Sequence, residues 1–146
     1  MNVIVGVDYG RRRLGVAVSD ETWCMAMPRG TITVSSVREA LSAVKRLSEE
    51  TQAAKLIVGI PLNMDGTKGA IAQEVDAFVE ALRPLVAMPV ETWDERFTSS
   101  IAEQVLLEAD LSRRKRKGVI DKLAAQIMLQ DYLEAQAARK GRSRTD

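Results

Sequence analysis

Four acidic positions draw attention by where they fall. Asp8 ends the apolar run Val3-Ile4-Val5-Gly6-Val7, Asp94 and Glu95 end the run Val90-Glu91-Thr92-Trp93, and Asp121 opens the last helical stretch. On that helix, at about 100° per residue, Asp121 shares its stripe with Ala124, Ala125, Met128 and Tyr132, an apolar stripe that should face a core. A carboxylate placed there is partly buried, and a buried carboxylate needs a partner or a cation. An acid in a first turn also simply suits the helix dipole, worth about 0.3–1 kcal/mol, so capping electrostatics is the plainer account of Asp121 alone. Taken together, acids from two strand ends and a helix suit Mg²⁺ or Mn²⁺, hard ions that take oxygen ligands and keep positions open for water and phosphate oxygens. Two such ions about 3.5–4 Å apart activate a water and stabilise the leaving 3′ oxygen of an in-line displacement at phosphorus.

Composition narrows the alternatives. The chain of 146 residues contains no histidine and one cysteine, Cys24, which excludes disulfides within the chain, zinc fingers and Ser-His-Asp catalysis. Cys24 reads as a small hydrophobic filler. Formal charge is +1, but its distribution is uneven. Residues 1–110 hold 11 basic and 16 acidic side chains, a net −5, whereas residues 111–146 hold 10 basic and 4 acidic, a net +6. The basic pole contains Arg113, Arg114, Lys115, Arg116 and Lys117, read as a loop, and a tail with Arg139, Lys140, Arg142 and Arg144. Such clusters neutralise phosphates or form a solvated face. No basic segment precedes the first apolar run and no stretch is long enough to span a bilayer, so a cytoplasmic protein without membrane contact is expected.

The elements that must position these residues follow from periodicity and punctuation. Val3–Val7 reads as a central strand, Leu14–Ser19 as its hairpin partner, and 25–34 as a third strand. Ser36 with Glu39 forms a capping box for a helix to about residue 50, with Leu41, Val44 and Leu47 on its inner face. Lys55–Ile60 is a strand stopped by Pro61, a helix spans about 69–85, and Pro89–Trp93 is a short strand. A second capping box, Ser100 with Glu103, starts a helix to about Ala109, and Val119 to about Ala138 is the last helix. The order βββαβαβαα implies a mixed sheet with helices on its faces, in one domain over 1–138 and a basic disordered tail over 139–146. In such sheets ligands gather outside the carboxyl ends of the parallel strands, the rim that Asp8, Asp94-Glu95 and the Asn63-Met64-Asp65-Gly66 turn share.

Four ordered motifs carry a resemblance over almost the whole chain. Gly6-Val7-Asp8-Tyr9-Gly10 with Leu14-Gly15-Val16-Ala17, Gly59-Ile60-Pro61-Leu62-Asn63-Met64-Asp65-Gly66, Asp94-Glu95-Arg96-Phe97-Thr98-Ser99, and Asp121-Lys122-Leu123-Ala124-Ala125 resemble the YqgF/RuvX family. The resemblance implies an α/β ribonuclease H-like fold with a five-stranded mixed sheet ordered 3-2-1-4-5. It also implies a Mg²⁺- or Mn²⁺-dependent endonuclease acting on structured RNA or branched DNA, by processing the 5′ end of pre-16S rRNA or by resolving Holliday junctions. Asp8, an acid from Asp94-Glu95, and Asp121 become its catalytic and metal-binding residues. In the wider class the second acid ends the fourth strand; here Val58-Gly59-Ile60-Pro61 carries none, so the role moves to Glu95, with Asp94 as the alternative. Strand alternation points those two side chains opposite ways.

Around the acids, Arg11, Arg12 and Arg13 read either as clamps for the phosphates flanking the scissile bond or as a charged hairpin tip. Arg96 reads as a phosphate partner or a salt bridge, Asn63 and Asp65 as a substrate-facing loop or a plain turn, and Arg113–Lys117 as a backbone-binding patch. Trp23 and Trp93 are expected in the core, and Thr98 as a helix cap. Symmetric cutting of a junction needs two active sites, hence a homodimer, whereas rRNA processing implies ribosome precursors as partners. Two other readings remain: a non-catalytic RNA-binding or ribosome-assembly factor on the same fold, and a phosphate-binding hairpin of the actin and sugar-kinase class. The latter requires a second nucleotide-binding half, for which 146 residues leave no room.

Overall fold

The computed structural model describes residues 3–95 and the helix 113–145, with the side chains of that helix described over 123–139. The elements are β1 (Val3–Asp8), β2 (Arg13–Ser19), β3 (Ala26–Thr33), α1 (Val37–Thr51), β4 (Ala53–Ile60), α2 (Ala70–Leu82) leading into a 3-10 turn (Arg83–Leu85), β5 (Val90–Asp94) and α3 (Arg113–Thr145). The strands form one sheet ordered β3-β2-β1-β4-β5, the order expected. β1, β2 and β3 pair antiparallel, and β4 joins β1 and β5 in parallel. β1 is buried on both sides, as its unbroken apolar run requires, whereas β3 is an edge strand whose residues are mostly exposed.

Alternation along the strands divides the interior into two cores. Val5 and Val7 of β1, Leu14 and Val16 of β2, and Leu56, Val58 and Ile60 of β4 pack under α1 and α2. Ile4, Ala17, Ala26 and Ile57 point the other way, against Ala125, Met128, Leu129, Tyr132 and Leu133 of α3. The spacing of those five helix residues is the i, i+3, i+4, i+7, i+8 pattern of one buried stripe. The helix lies very close to the sheet, because a Cβ added at Gly6 would stand 3.0 Å from Leu129 Cβ and 3.4 Å from Met128 Cε. On its other flank Gln130 seals the helix to β3: its Oε1 accepts from Ala26 N–H at 2.8 Å and its Nε2 donates to Cys24 O at 3.0 Å.

Local signals act as anticipated at α1. Ser36 Oγ accepts from Glu39 N–H at 3.1 Å, while the Glu39 carboxylate reaches back to Ser35 N–H at 3.3 Å, one residue before the cap. Gln52 ends the helix in the left-handed region, φ 54°, its N–H returning to Glu49 O. Two expectations are corrected. The basic run Arg113–Lys117 lies in α3, not in a loop; the helix itself runs to Thr145. No proline follows Pro89, and the Ala, Gln, Arg and Lys residues from 135 to 140 are strong helix formers. Cys24 is exposed instead of filling a core. The Asp20 carboxylate explains this: Oδ1 accepts from the N–H groups of Cys24 and Met25 at 2.9 and 3.0 Å, folding a turn whose rim carries the thiol outward. A bond from the Thr22 hydroxyl, and then those from Met25 and Cys24, hold Asp20 below the usual carboxylate range. The helix expected from Ser100 to Ala109, and Thr98 before it, lie outside the described residues.

Candidate active site

Asp8, the last residue of β1, pairs with Gly15 of β2 on one side and Gly59 of β4 on the other. It alternates with Gly6 and Ile4 and therefore faces α3. A Cβ at Gly15 would meet Asp8 Cβ at 3.4 Å and Ala125 Cβ at 3.5 Å, so the helix passes directly beside the carboxylate. Two strands away, β5 ends at Asp94 and the next residue, Glu95, donates its N–H to Ile60 O at 3.0 Å, which extends the parallel ladder by one residue. Alternation sends Val90, Thr92 and Asp94 toward the α1/α2 face and Trp93 and Glu95 toward α3. The Glu95 side chain then crosses β4 and hydrogen-bonds the Asp8 carboxyl. Of the two acids at this strand end, the structure brings Glu95 to Asp8.

Two carboxyl groups in contact in a half-buried site cannot both ionise cheaply. Burial, the Asp8 charge and shared hydrogen bond, and then the Asp94 charge push the Glu95 carboxyl up to about 9. The pair therefore holds a proton across the neutral range, and a cation between the carboxylates is the natural replacement for it. Among the described residues no three Asp, Glu or Cys side chains gather closely enough to cage a metal, so the pair is the described part of any such centre. Asp121 belongs to α3, one turn before Ala125, and its side chain lies outside the described residues.

The other expected residues separate into distinct groups. Arg11 turns toward α2, its Nε 3.0 Å from Glu74 Oε2, while Arg12 and Arg13 are exposed. Tyr9 stacks at 5.0 Å on Phe78 of α2, so the β1–β2 turn is fixed from the helix side opposite the acids. Asn63 and Asp65 build their own loop. Asn63 Nδ2 donates to Thr67 Oγ1 at 3.0 Å, Asp65 Oδ1 accepts from Thr67 N–H at 2.9 Å, and Gly66 closes the turn at φ 86°. Arg96 lies outside the described residues, as do the side chains of Arg113–Lys117. Trp93 is half-buried; its Nε1 donates to Asp131 Oδ2 at 2.8 Å, and its ring meets Tyr132 edge-on at 5.4 Å. Trp23 is half-buried in the same core.

The sheet order 3-2-1-4-5 is the one the sequence resemblance implied, and comparison with known proteins decides the family. A profile of the family described as "RuvX: Holliday junction resolvase" matches residues 2–135. The chain belongs to this family. Relatives named "Putative pre-16S rRNA nuclease" include one from Halothermothrix orenii, 46% identical over 91% of this chain and 95% of its own, and one from Natranaerobius thermophilus, 48% identical over 91% and 94%. RuvX proteins are nucleases, hydrolases of phosphodiester bonds, and this chain is one by membership. Among solved structures, Thermus thermophilus RuvC in complex with a Holliday junction substrate shares the ribonuclease H-like fold, with TM-score 0.58 over 94% of this chain and 96% of that one, at 14% identity. No helix among the described residues is long and apolar enough to cross a membrane.

Sequence reasoning passed over Gly59. Its signal was present in the missing acid at the end of the fourth strand, and its meaning required knowing where Glu95 lies.

Proposed function

We propose that this RuvX protein is a divalent-metal-dependent endonuclease of the cytoplasm that trims the 5′ end of the small-subunit ribosomal RNA precursor. The observation that carries the reading is the Asp8–Glu95 carboxyl pair, held in contact at the rim where substrates approach. Asp8 and Glu95 would hold the ion, and Asp121 would supply the third carboxylate. When bound, Mg²⁺ or Mn²⁺ supplies Lewis acidity toward a phosphate oxygen and lowers the pKa of a water.

The chain's own residues do the rest. With a cation held there, the proton that Glu95 shares with Asp8 would pass to solvent, and the two residues would present carboxylates aligned from a rigid sheet. The Asn63–Thr67 loop, braced by its internal bonds, borders the rim after β4. Arg12, Arg13, Arg96 and the Arg113–Lys117 run hold the backbone on either side of the scissile bond. Arg11 joins them only by leaving Glu74, an exposed pair worth at most about 1 kcal/mol. Symmetric resolution of a four-way junction by a homodimer is the second reading, favoured by the family description.

The test is cleavage in Mg²⁺ and in Mn²⁺ of a structured ribosomal precursor end, a four-way DNA junction and linear duplex, by wild type beside Asp8→Asn. Cutting of the precursor that disappears in Asp8→Asn supports the proposal, and cutting of the junction instead selects the second reading. Salt-dependent binding of either nucleic acid without cleavage, unchanged by Asp8→Asn, leaves an assembly factor on a nuclease fold.

A further inference from the structure

Neighbouring strands are about 4.8 Å apart, so Glu95, beyond the end of β5, is two strand spacings from β1 and must pass over β4 to reach Asp8. The position it passes over is Gly59, the register partner of both Asp8 and Trp93. A Cβ built there would lie 2.3 Å from Glu95 Oε1, 2.5 Å from Cδ and 2.9 Å from Cγ, all three closest atoms belonging to Glu95. Gly15, on the other side of Asp8, contrasts with it: its added Cβ would meet its neighbours at 3.4 Å and beyond, ordinary contact. No positive φ is recorded at Gly59, so backbone conformation does not require glycine there. What requires it is the volume occupied by another residue's carboxylate.

We propose that Gly59 is a positioning residue: having no side chain, it opens the passage over β4 along which Glu95 of the outer strand reaches Asp8 of the central strand. The inference rests on the metal-centre reading above and names what that centre depends on. Because the clashing atoms end a flexible side chain, Gly59→Ala evicts Glu95 and leaves the sheet intact. Alanine is also the better strand residue. The lesion is therefore loss of a metal ligand without loss of fold.

The experiment titrates Mn²⁺ by calorimetry into the full chain and measures melting in EDTA. Expected are a fall in Mn²⁺ affinity of about 10–100-fold in Gly59→Ala, equal to that in Glu95→Gln, with a melting temperature near wild type. The Gly59→Ala/Glu95→Gln double variant is then no weaker than either single one, because both remove the same ligand. Gly59→Asp/Glu95→Ala, which moves the carboxylate onto β4, regains part of the lost affinity, and Gly15→Ala binds as wild type does. Wild-type affinity in Gly59→Ala while Glu95→Gln loses it overturns the positioning role and leaves the metal centre standing; losses that multiply in the double variant do the same. Wild-type affinity in Glu95→Gln removes the metal-centre reading, and this inference with it. Should Gly59→Ala not fold, Gly59→Ala/Glu95→Ala must restore folding, and its failure to do so also overturns the assignment.

Discussion

At the carboxyl end of β1, two carboxyl groups, Asp8 and Glu95, meet under α3, and burial, then the Asp8 carboxylate beside it, push the Glu95 carboxyl up to about 9. At the opposite end of the same sheet face, a lysine, a tyrosine and a glutamate meet with every charge answered. Lys55 Nζ donates to Tyr132 Oη at 2.9 Å and lies 3.3 Å from Glu91 Oε1, and Tyr132 Oη donates to Glu91 Oε2 at 3.2 Å. Burial works to lower the Lys55 pKa there, but the Tyr132 hydroxyl and the Glu91 carboxylate outweigh it and hold the ammonium above its usual value. One helix and one sheet thus bury charge twice, with complementary groups where α3 is anchored and with conflicting groups at the carboxyl rim of the sheet. Conflict of this kind is characteristic of functional sites, and complementarity of a fastening.

Substitutions at the two ends should divide accordingly. The largest effect is expected from Asp8→Asn, which should reduce nuclease turnover by about 10³-fold or more, some 4 kcal/mol of transition-state stabilisation, while the metal-free protein melts no lower than wild type. Single-turnover cleavage and melting in EDTA measure the two quantities. A parallel loss of stability would mean that the acidic end is a fastening too. Tyr132→Ala should do the reverse: about 3–5 kcal/mol of stability lost to denaturant, since a fully buried aromatic ring disappears from the α3 core.

The acidic end also carries a pH signature. Glu95 binds its proton more tightly in the folded chain, at about 9, than at its ordinary 4.5. Its contribution to the metal-free fold is therefore complete below about pH 4.5 and is lost as pH rises toward 9. Melting in EDTA at pH 5, 7 and 9 should decline through that window, the gap between Mn²⁺ and EDTA curves should widen, and Glu95→Gln should flatten both trends. The smallest effect is expected at the anchored end. Tyr132→Phe removes the hydroxyl that Lys55 and Glu91 share and should lower stability by about 1 kcal/mol, with cleavage unchanged.

The order of the described elements and the position of Asp8 at a strand end were legible in the sequence because each rests on local signals: unbroken apolar runs, capping residues, and Pro61 or a turn after a strand. The sheet order came from the family resemblance, since no local signal pairs strands. The α3 stripe was legible for the same reason, and Met128 and Tyr132 are buried where helical spacing put them. Contacts between distant residues were not. Arg11 is paired with Glu74, 63 positions away, which no local pattern records. Alternation alone left Asp94 and Glu95 on opposite faces without saying which face mattered; that follows from β5 lying beside β4, with Val90 turned into the α1/α2 core. Cys24 was misjudged because composition ranks cysteine as apolar, whereas the Asp20 turn decided its place. The first residue of α3 was set too late because a run of five basic residues reads as a loop, although arginine and lysine are good helix formers.

The close approach at Gly6 has a mechanical side. The helix bears on the sheet where β1 has only a hydrogen atom to offer, two residues before Asp8, so that contact acts as a spacer fixing how high α3 rides above the acidic pair. A methyl group there would act as a shim under a beam, pressing on Leu129 and lifting the helix beside Gly15 without touching a carboxylate. The height at which Ala125 rides beside Asp8 is in this sense gauged by the thinnest place in the sheet beneath the helix.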